Sequence, residues 1–148
     1  IGFKKIKDAH PDVKLATGEM IQNKVMFKQF IENKSLDYCQ IDSCRIASIN
    51  EIIPVLLMAS KYNIPVIPHA GGVGLCEYVQ HLNLINKFII TKNDLFLSEY
   101  AESCSEHFEN PAIIEKGGYV TPTEPGYSVR IKQKSLKEFD FNNGSYWN

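Results

Sequence analysis

Short apolar runs alternate with longer amphipathic stretches along most of this chain, and a polar residue closes each run. Residues 13–16, 38–41, 64–68 and 88–91 read as four strands. Each holds only a few residues, rich in Val, Ile, Tyr and Phe, a pattern that fits strands covered on both faces. Between the first two, residues 24–31 place Val25, Phe27, Phe30 and Ile31 at helical spacing, which predicts an amphipathic crossover. Ser48-Ile49-Asn50-Glu51 has the Ser-x-x-Glu form of a capping box and opens a helix running to about Tyr62. A further long helix runs from Leu75 to about Leu84, and the residues up to Asp8 read as a helix tail closed by His10-Pro11-Asp12. Residues 95–107 read as a helix or a loop. Strands and helices alternating in this order make an α/β chain with a parallel sheet.

From Asn110 the pattern changes. Ile113-Ile114 and Gly117-Gly118-Tyr119-Val120 look like short strands, and Pro122, Pro125 and Gly126 supply turns. Residues 139–148 are polar and aromatic without periodicity, a surface tail or docking segment. The chain therefore divides into 1–109, a partial β/α barrel, and 110–148, a C-terminal segment.

Four polar residues stand just after the apolar runs: Glu19, Asp42, His69 and Glu99, at separations of 23, 27 and 30. A strand, a crossover helix and two loops take roughly 20–30 residues. One polar residue at the carboxyl end of each successive strand is how a β/α barrel builds an active site. The chain reads as part of an enzyme.

Bulk properties narrow this further. The 148 residues suffice for one domain and a buried core, yet amount to about half to two-thirds of a barrel of roughly 250 residues. A formal charge of −1 gives no electrostatic case for nucleic acid. No run approaches the roughly 20 apolar residues of a membrane span. Cys39, Cys44, Cys76 and Cys104 form no Cys-x-x-Cys pair, and they read as reduced structural thiols of an intracellular protein. The start, Ile1-Gly2-Phe3-Lys4-Lys5-Ile6-Lys7, has no initiator Met and no targeting pattern, so it reads as cut from something longer.

Each candidate has two physical readings. Glu19 offers an oxygen ligand to a hard divalent cation, or a carboxylate favoured at a helix N-terminus. Asp42 and His69, on adjacent strand ends, fit a carboxylate that fixes an imidazole tautomer for acid–base work. They fit equally a turn residue and a satisfied histidine. Glu99 is one acid among Asp94, Glu102 and Glu106, so spacing selects it softly. Gly71, Gly72 and Gly74 form a weak phosphate signal. His81, His107, Tyr146 and Trp147 read as packing or surface residues.

The strings Ala16-Thr17-Gly18-Glu19, Gln40-Ile41-Asp42-Ser43-Cys44-Arg45 and Pro68-His69-Ala70-Gly71-Gly72-Val73-Gly74-Leu75-Cys76-Glu77 resemble the enolase superfamily. Within its mandelate racemase-like subgroup they are similar to the L-fuconate dehydratase group, as is Tyr119-Val120-Thr121-Pro122-Thr123-Glu124-Pro125-Gly126-Tyr127-Ser128. The resemblance runs from about Val13 to Tyr127. It implies strands five to eight of an enolase-type barrel, plus an extension toward a missing capping domain.

The activity it implies is Mg2+-dependent dehydration of a sugar acid, most specifically L-fuconate. A base takes the proton α to the carboxylate, Mg2+ holds the enediolate, and an acid expels the 3-hydroxyl. By the same resemblance Glu19 is the last of three Mg2+ carboxylates, and Asp42 and His69 are the dyad, with His69 the acid. Glu99 hydrogen-bonds the enolised carboxylate of the substrate; it stands one position nearer His69 than the family pattern, which implies a deletion around Asn93. The family's Lys-x-Lys base and its other two carboxylates lie on earlier strands. Lys5-Ile6-Lys7 imitates the lysine motif one strand before Glu19 and reads as a solvated helix face.

The expectation is a dehydratase parent, homo-oligomeric, mitochondrial or cytosolic, whose 148 residues here are inactive alone. The rivals are a truncated non-catalytic homologue acting in binding or assembly, and another acid-sugar dehydratase or racemase.

Overall fold

The computed structural model describes residues 2–91 and 97–147. Its centre is a short parallel ladder. β1 (Ala16–Thr17) pairs with β2 (Tyr38–Cys39), and Cys39 in turn bridges Val66. Backbone hydrogen bonds extend the ladder past the formal strand ends: Gln40 N–H donates to Thr17 O, Ile67 N–H to Cys39 O and His69 N–H to Ile41 O, each at 2.9 Å. The three expected strands are thus present but shorter. The first enters the ladder only at Leu15, whose carbonyl accepts from Asp37 and Tyr38, leaving Val13 outside and exposed.

Helices α1 (Gly2–Ala9), α2 (Lys24–Glu32), α3 (Ile49–Lys61) and α4 (Leu75–Ile85) lie where the pattern predicts them. Phe27 and Ile31 of α2 pack with Ile52, Val55, Leu56 and Ala59 of α3 and with Cys39 and Ile41. A buried side chain of the size of Phe27 contributes about 1.5–3 kcal/mol over its exposed state. Val25, expected on the same face, is exposed. Cys39 is fully buried, and burial pushes its thiol up to about 12.

Three local expectations change. Ser48 sits at the N-cap of α3 without a side-chain cap bond, so the capping box does not close. Glu51 instead turns to α2, accepting from the Lys24 backbone N–H (2.9 Å) and from Lys24 Nζ (2.8 Å). It therefore satisfies an orphan donor at the start of the neighbouring helix.

The run 88–91 is not a strand. Asn86–Ile90 continues α4 as a π-helical turn, with Thr91 N–H on Asn86 O at 2.7 Å, and Phe88 and Ile89 are 77% and 78% exposed. A four-residue apolar run does not distinguish strand from helix end. Lys7, read as solvated, pairs through Nζ with Asp37 Oδ1 at 2.7 Å and donates to Leu36 O at 3.2 Å, pinning α1 to the sheet entrance. Asn93 and Asp94 lie outside the described residues.

A turn of 3-10 helix (Ser105–His107) precedes β3 (Ile114–Glu115) and β4 (Gly118–Tyr119), the two short strands expected there, which pair antiparallel as a hairpin. Ala112 and Tyr119 of this segment pack on Ala70, Cys76 and Val79. The short helix α5 (Gln133–Glu138) was not legible in the pattern. The aromatic tail folds on itself, with Trp147 Nε1 donating to Phe139 O and Tyr146 stacked near Phe139. All four cysteines are free, Cys44 and Cys104 being exposed. No helix among the described residues is long and apolar enough to cross a membrane.

Candidate active site

The parallel ladder aims three of the four candidates into one bowl. His69 N–H bonds Ile41 O, so His69 stands beside the Asp42 strand end. Asp42, only 2% exposed, is held by its own turn: Oδ1 accepts from Cys44 N–H (2.6 Å) and Arg45 N–H (3.1 Å). A buried carboxylate is tolerated when hydrogen-bonded in this way. Its other oxygen, Oδ2, lies 2.8 Å from His69 Nδ1 and 3.8 Å from Arg45 Nε. Across the imidazole, His69 Nε2 lies 3.0 Å from Glu19 Oε2, on a carboxylate that is 45% exposed.

Both ring nitrogens of His69 thus face carboxylate oxygens at hydrogen-bond distance. A carboxylate only accepts, so both contacts are hydrogen bonds together only when each ring nitrogen carries hydrogen.

Two glycines make this geometry possible. Gly18 has φ +146°, and a Cβ there would stand 2.8 Å from Gln40 O, where the first strand end presses on the second. A Cβ on Gly71 would stand 2.8 Å from His69 Nε2 and displace the ring.

Glu99 joins the bowl beside Ala70, the residue after His69. Its Oε2 accepts from Ala70 N–H at 2.8 Å, and Gln40 Nε2 stands 3.4 Å from the same oxygen. All four candidates therefore converge. Gln40 was missed, although it precedes Asp42 by two positions and so shares its strand face. Glu77, buried with Oε1 accepting from Ala112 N–H at 3.1 Å, ties α4 to the C-terminal segment, a role its place in the sequence does not indicate. His81 and His107 pack as expected, against Ser128 and Ser135.

Mg2+ wants several oxygen ligands in near-octahedral array. No group of three or more His, Cys, Asp or Glu side chains suited to a metal occurs among the described residues. Glu19 supplies one carboxylate, and its Oε2 is engaged with His69. The residues present do not by themselves make a Mg2+ site. Lys7 offers no base, since its Nζ is committed to Asp37.

Comparison with known proteins places this bowl in context. The family described as "Enolase C-terminal domain-like" matches residues 1–135. Mitochondrial enolase superfamily member 1 of Xenopus laevis is 49% identical over 137 residues, 92% of this chain and 31% of that protein. L-galactonate dehydratase of Hypocrea jecorina is 47% identical over 143 residues, 95% of this chain and 32% of that protein. Among solved structures, human mitochondrial enolase superfamily member 1 superposes with a TM-score of 0.94 at 43% identity, covering 99% of this chain and 34% of the human one. Rhamnonate dehydratase of Gibberella zeae, complexed with Mg, superposes with a TM-score of 0.71 at 29% identity, covering 89% of this chain and 33% of that one. The chain spans about a third of the length of the relatives it matches.

Proposed function

For a chain that belongs to the Enolase C-terminal domain-like family, and is the C-terminal part of an enolase-type α/β barrel, we propose that the whole protein is a Mg2+-dependent sugar-acid dehydratase. Its preferred substrate in this reading is L-fuconate. The observation that carries it is the imidazole of His69 held between Asp42 and Glu19, a proton donor seated in a bowl. The kinship to named sugar-acid dehydratases supports the reaction class.

This chain's residues take the following parts. Asp42 orients His69 through Nδ1, leaving Nε2 to deliver its proton to the departing 3-hydroxyl, which leaves as water. In this reading Glu99, whose Oε2 accepts from Ala70 N–H, would be the group that hydrogen-bonds the substrate carboxylate. Glu19 would contribute one carboxylate of a Mg2+ set completed by the rest of the protein, as would the base that removes the α-proton. With Glu19 the single carboxylate this reading assigns to Mg2+, and the base assigned to the rest of the protein, the 148 residues alone are expected to be inactive.

In the same reading, residues 110–148 lie between the barrel and a capping domain. Their packing on Ala70, Cys76 and Val79 supports the first contact. An apolar groove of about 530 Å³, lined by Val73, Phe108, Ile131, Leu136 and Phe139, supports the second. Homo-oligomeric assembly in mitochondrion or cytosol rests on the kinship alone.

The test is turnover by the full-length protein with Mg2+ against L-fuconate, L-galactonate and L-rhamnonate. The 2-keto-3-deoxy acid is expected, fastest from L-fuconate, and absent with EDTA. L-Galactonate differs from L-fuconate only in its 6-hydroxyl, so that pair measures how the pocket treats C6. No keto acid from any of the three would favour the non-catalytic reading.

A further inference from the structure

Glu99 stands in a stretch, residues 97–104, that belongs to no helix or strand, and among the described residues no backbone ladder fixes its direction. Its surroundings supply another means. Tyr119, on the hairpin strand β4, donates its hydroxyl to the Glu99 carbonyl at 2.7 Å. Cys76 on α4 donates its thiol to Ala101 O (3.2 Å), with Ala70 O at 3.8 Å. Ala70 N–H in turn holds the Glu99 carboxylate at 2.8 Å. The Tyr119 ring packs edge-on against Tyr100 with centroids 5.8 Å apart and rests on the Ala70–Cys76–Val79 cluster.

We propose that Tyr119 is a positioning residue: the C-terminal hairpin reaches back through its hydroxyl to clamp the Glu99 backbone and set the carboxylate on Ala70 N–H. Burial, then the Cys76 contact, pushes the Tyr119 phenol above its ordinary range, so the hydroxyl stays a donor at every working pH. The ring alone fills the space beside Ala70. The hydroxyl is what connects the hairpin to the bowl, and it is the smallest group whose removal separates packing from positioning. That the connection matters for turnover rests on the dehydratase reading; that it fixes Glu99 does not.

The experiment uses the full-length protein and Tyr119→Phe, which keeps the ring. Two readouts are taken. The first is amide hydrogen exchange of peptides containing Ala70, expected to quicken about tenfold while peptides from α2 and α3 stay unchanged. The second is steady-state kinetics, expected to show kcat about tenfold lower, and little further loss when Tyr119→Phe is added to Glu99→Gln. A merely structural tyrosine would lower thermal stability and leave both unmoved. Unchanged Ala70 exchange overturns the proposal, as does a kinetic loss that simply multiplies with Glu99→Gln. If the wild type turns over no sugar acid but the Ala70 amide responds, the dehydratase reading fails and the clamp stands.

Discussion

The Glu99 carboxylate sits on the backbone N–H of the residue after His69, yet the chain holds the two side chains by different means. His69 follows a strand whose backbone bonds its neighbour at Cys39 and Ile41, so the parallel ladder fixes its Cα before any side chain is placed. Among the described residues Glu99 follows no ladder and is held by side-chain or cross-loop contacts with Tyr119, Ala70 and Gln40. The first kind of placement is inherited from sheet formation. The second must be assembled from residues 20 to 59 positions away. An active-site face can therefore be half built by topology and half by docking.

The comparison breaks most visibly at His69. His69→Asn in the full-length protein should lower kcat about 10²–10⁴-fold, as loss of an acid–base group does, with the ladder and thermal stability retained. A smaller change would demote His69 to a structural role. Gly71→Ala comes next. Its Cβ pushes on His69 Nε2 without touching the backbone ladder, and steady-state kinetics should show kcat down about 10²-fold, since a misplacement of an ångström costs that much.

Gly18→Val attacks the ladder itself through its positive φ and the Gln40 carbonyl. A urea midpoint should register a loss of about 1–3 kcal/mol. The smallest effect lies on the docking side. Burial holds His81 below the ordinary imidazole value, against a hydrogen bond to the Tyr127 backbone carbonyl that pulls the other way. As pH falls from 6.5, the unfolded chain takes a proton before the folded one, so stability declines until His81 itself protonates. Thermal melts from pH 7.5 to 5 should show this slope, and His81→Gln should flatten it.

How much was legible follows the same division. Glu19, Asp42 and His69 were found because each ends an apolar run at one βα spacing, which is a local signal. Gln40 carried the same signal and was passed over, although period-2 alternation puts it beside Asp42. Tyr119 could not be read this way: it appears as one aromatic in a turn-rich segment, and only the hairpin's return to Ala70 gives it a task. The failures among elements are also local conflicts settled by distant partners. Glu51 had a valid capping partner in Ser48 but found Lys24, a full helix away. The run at 88–91 had strand composition, yet the helix before it kept winding. α5 escaped notice because six residues carry too little periodicity to register.

Cys39, at the crossing of all three ladder strands, has a consequence of its own. A thiol at about 12 with no solvent contact is almost never thiolate and never meets a reagent while the ladder is intact. Cys44 and Cys104 face solvent and can react in the folded chain. The protein thus carries an internal clock of its own integrity. In a pulse of alkylating reagent Cys44 and Cys104 can be marked in the folded chain, and the moment Cys39 is marked dates the first opening of the sheet.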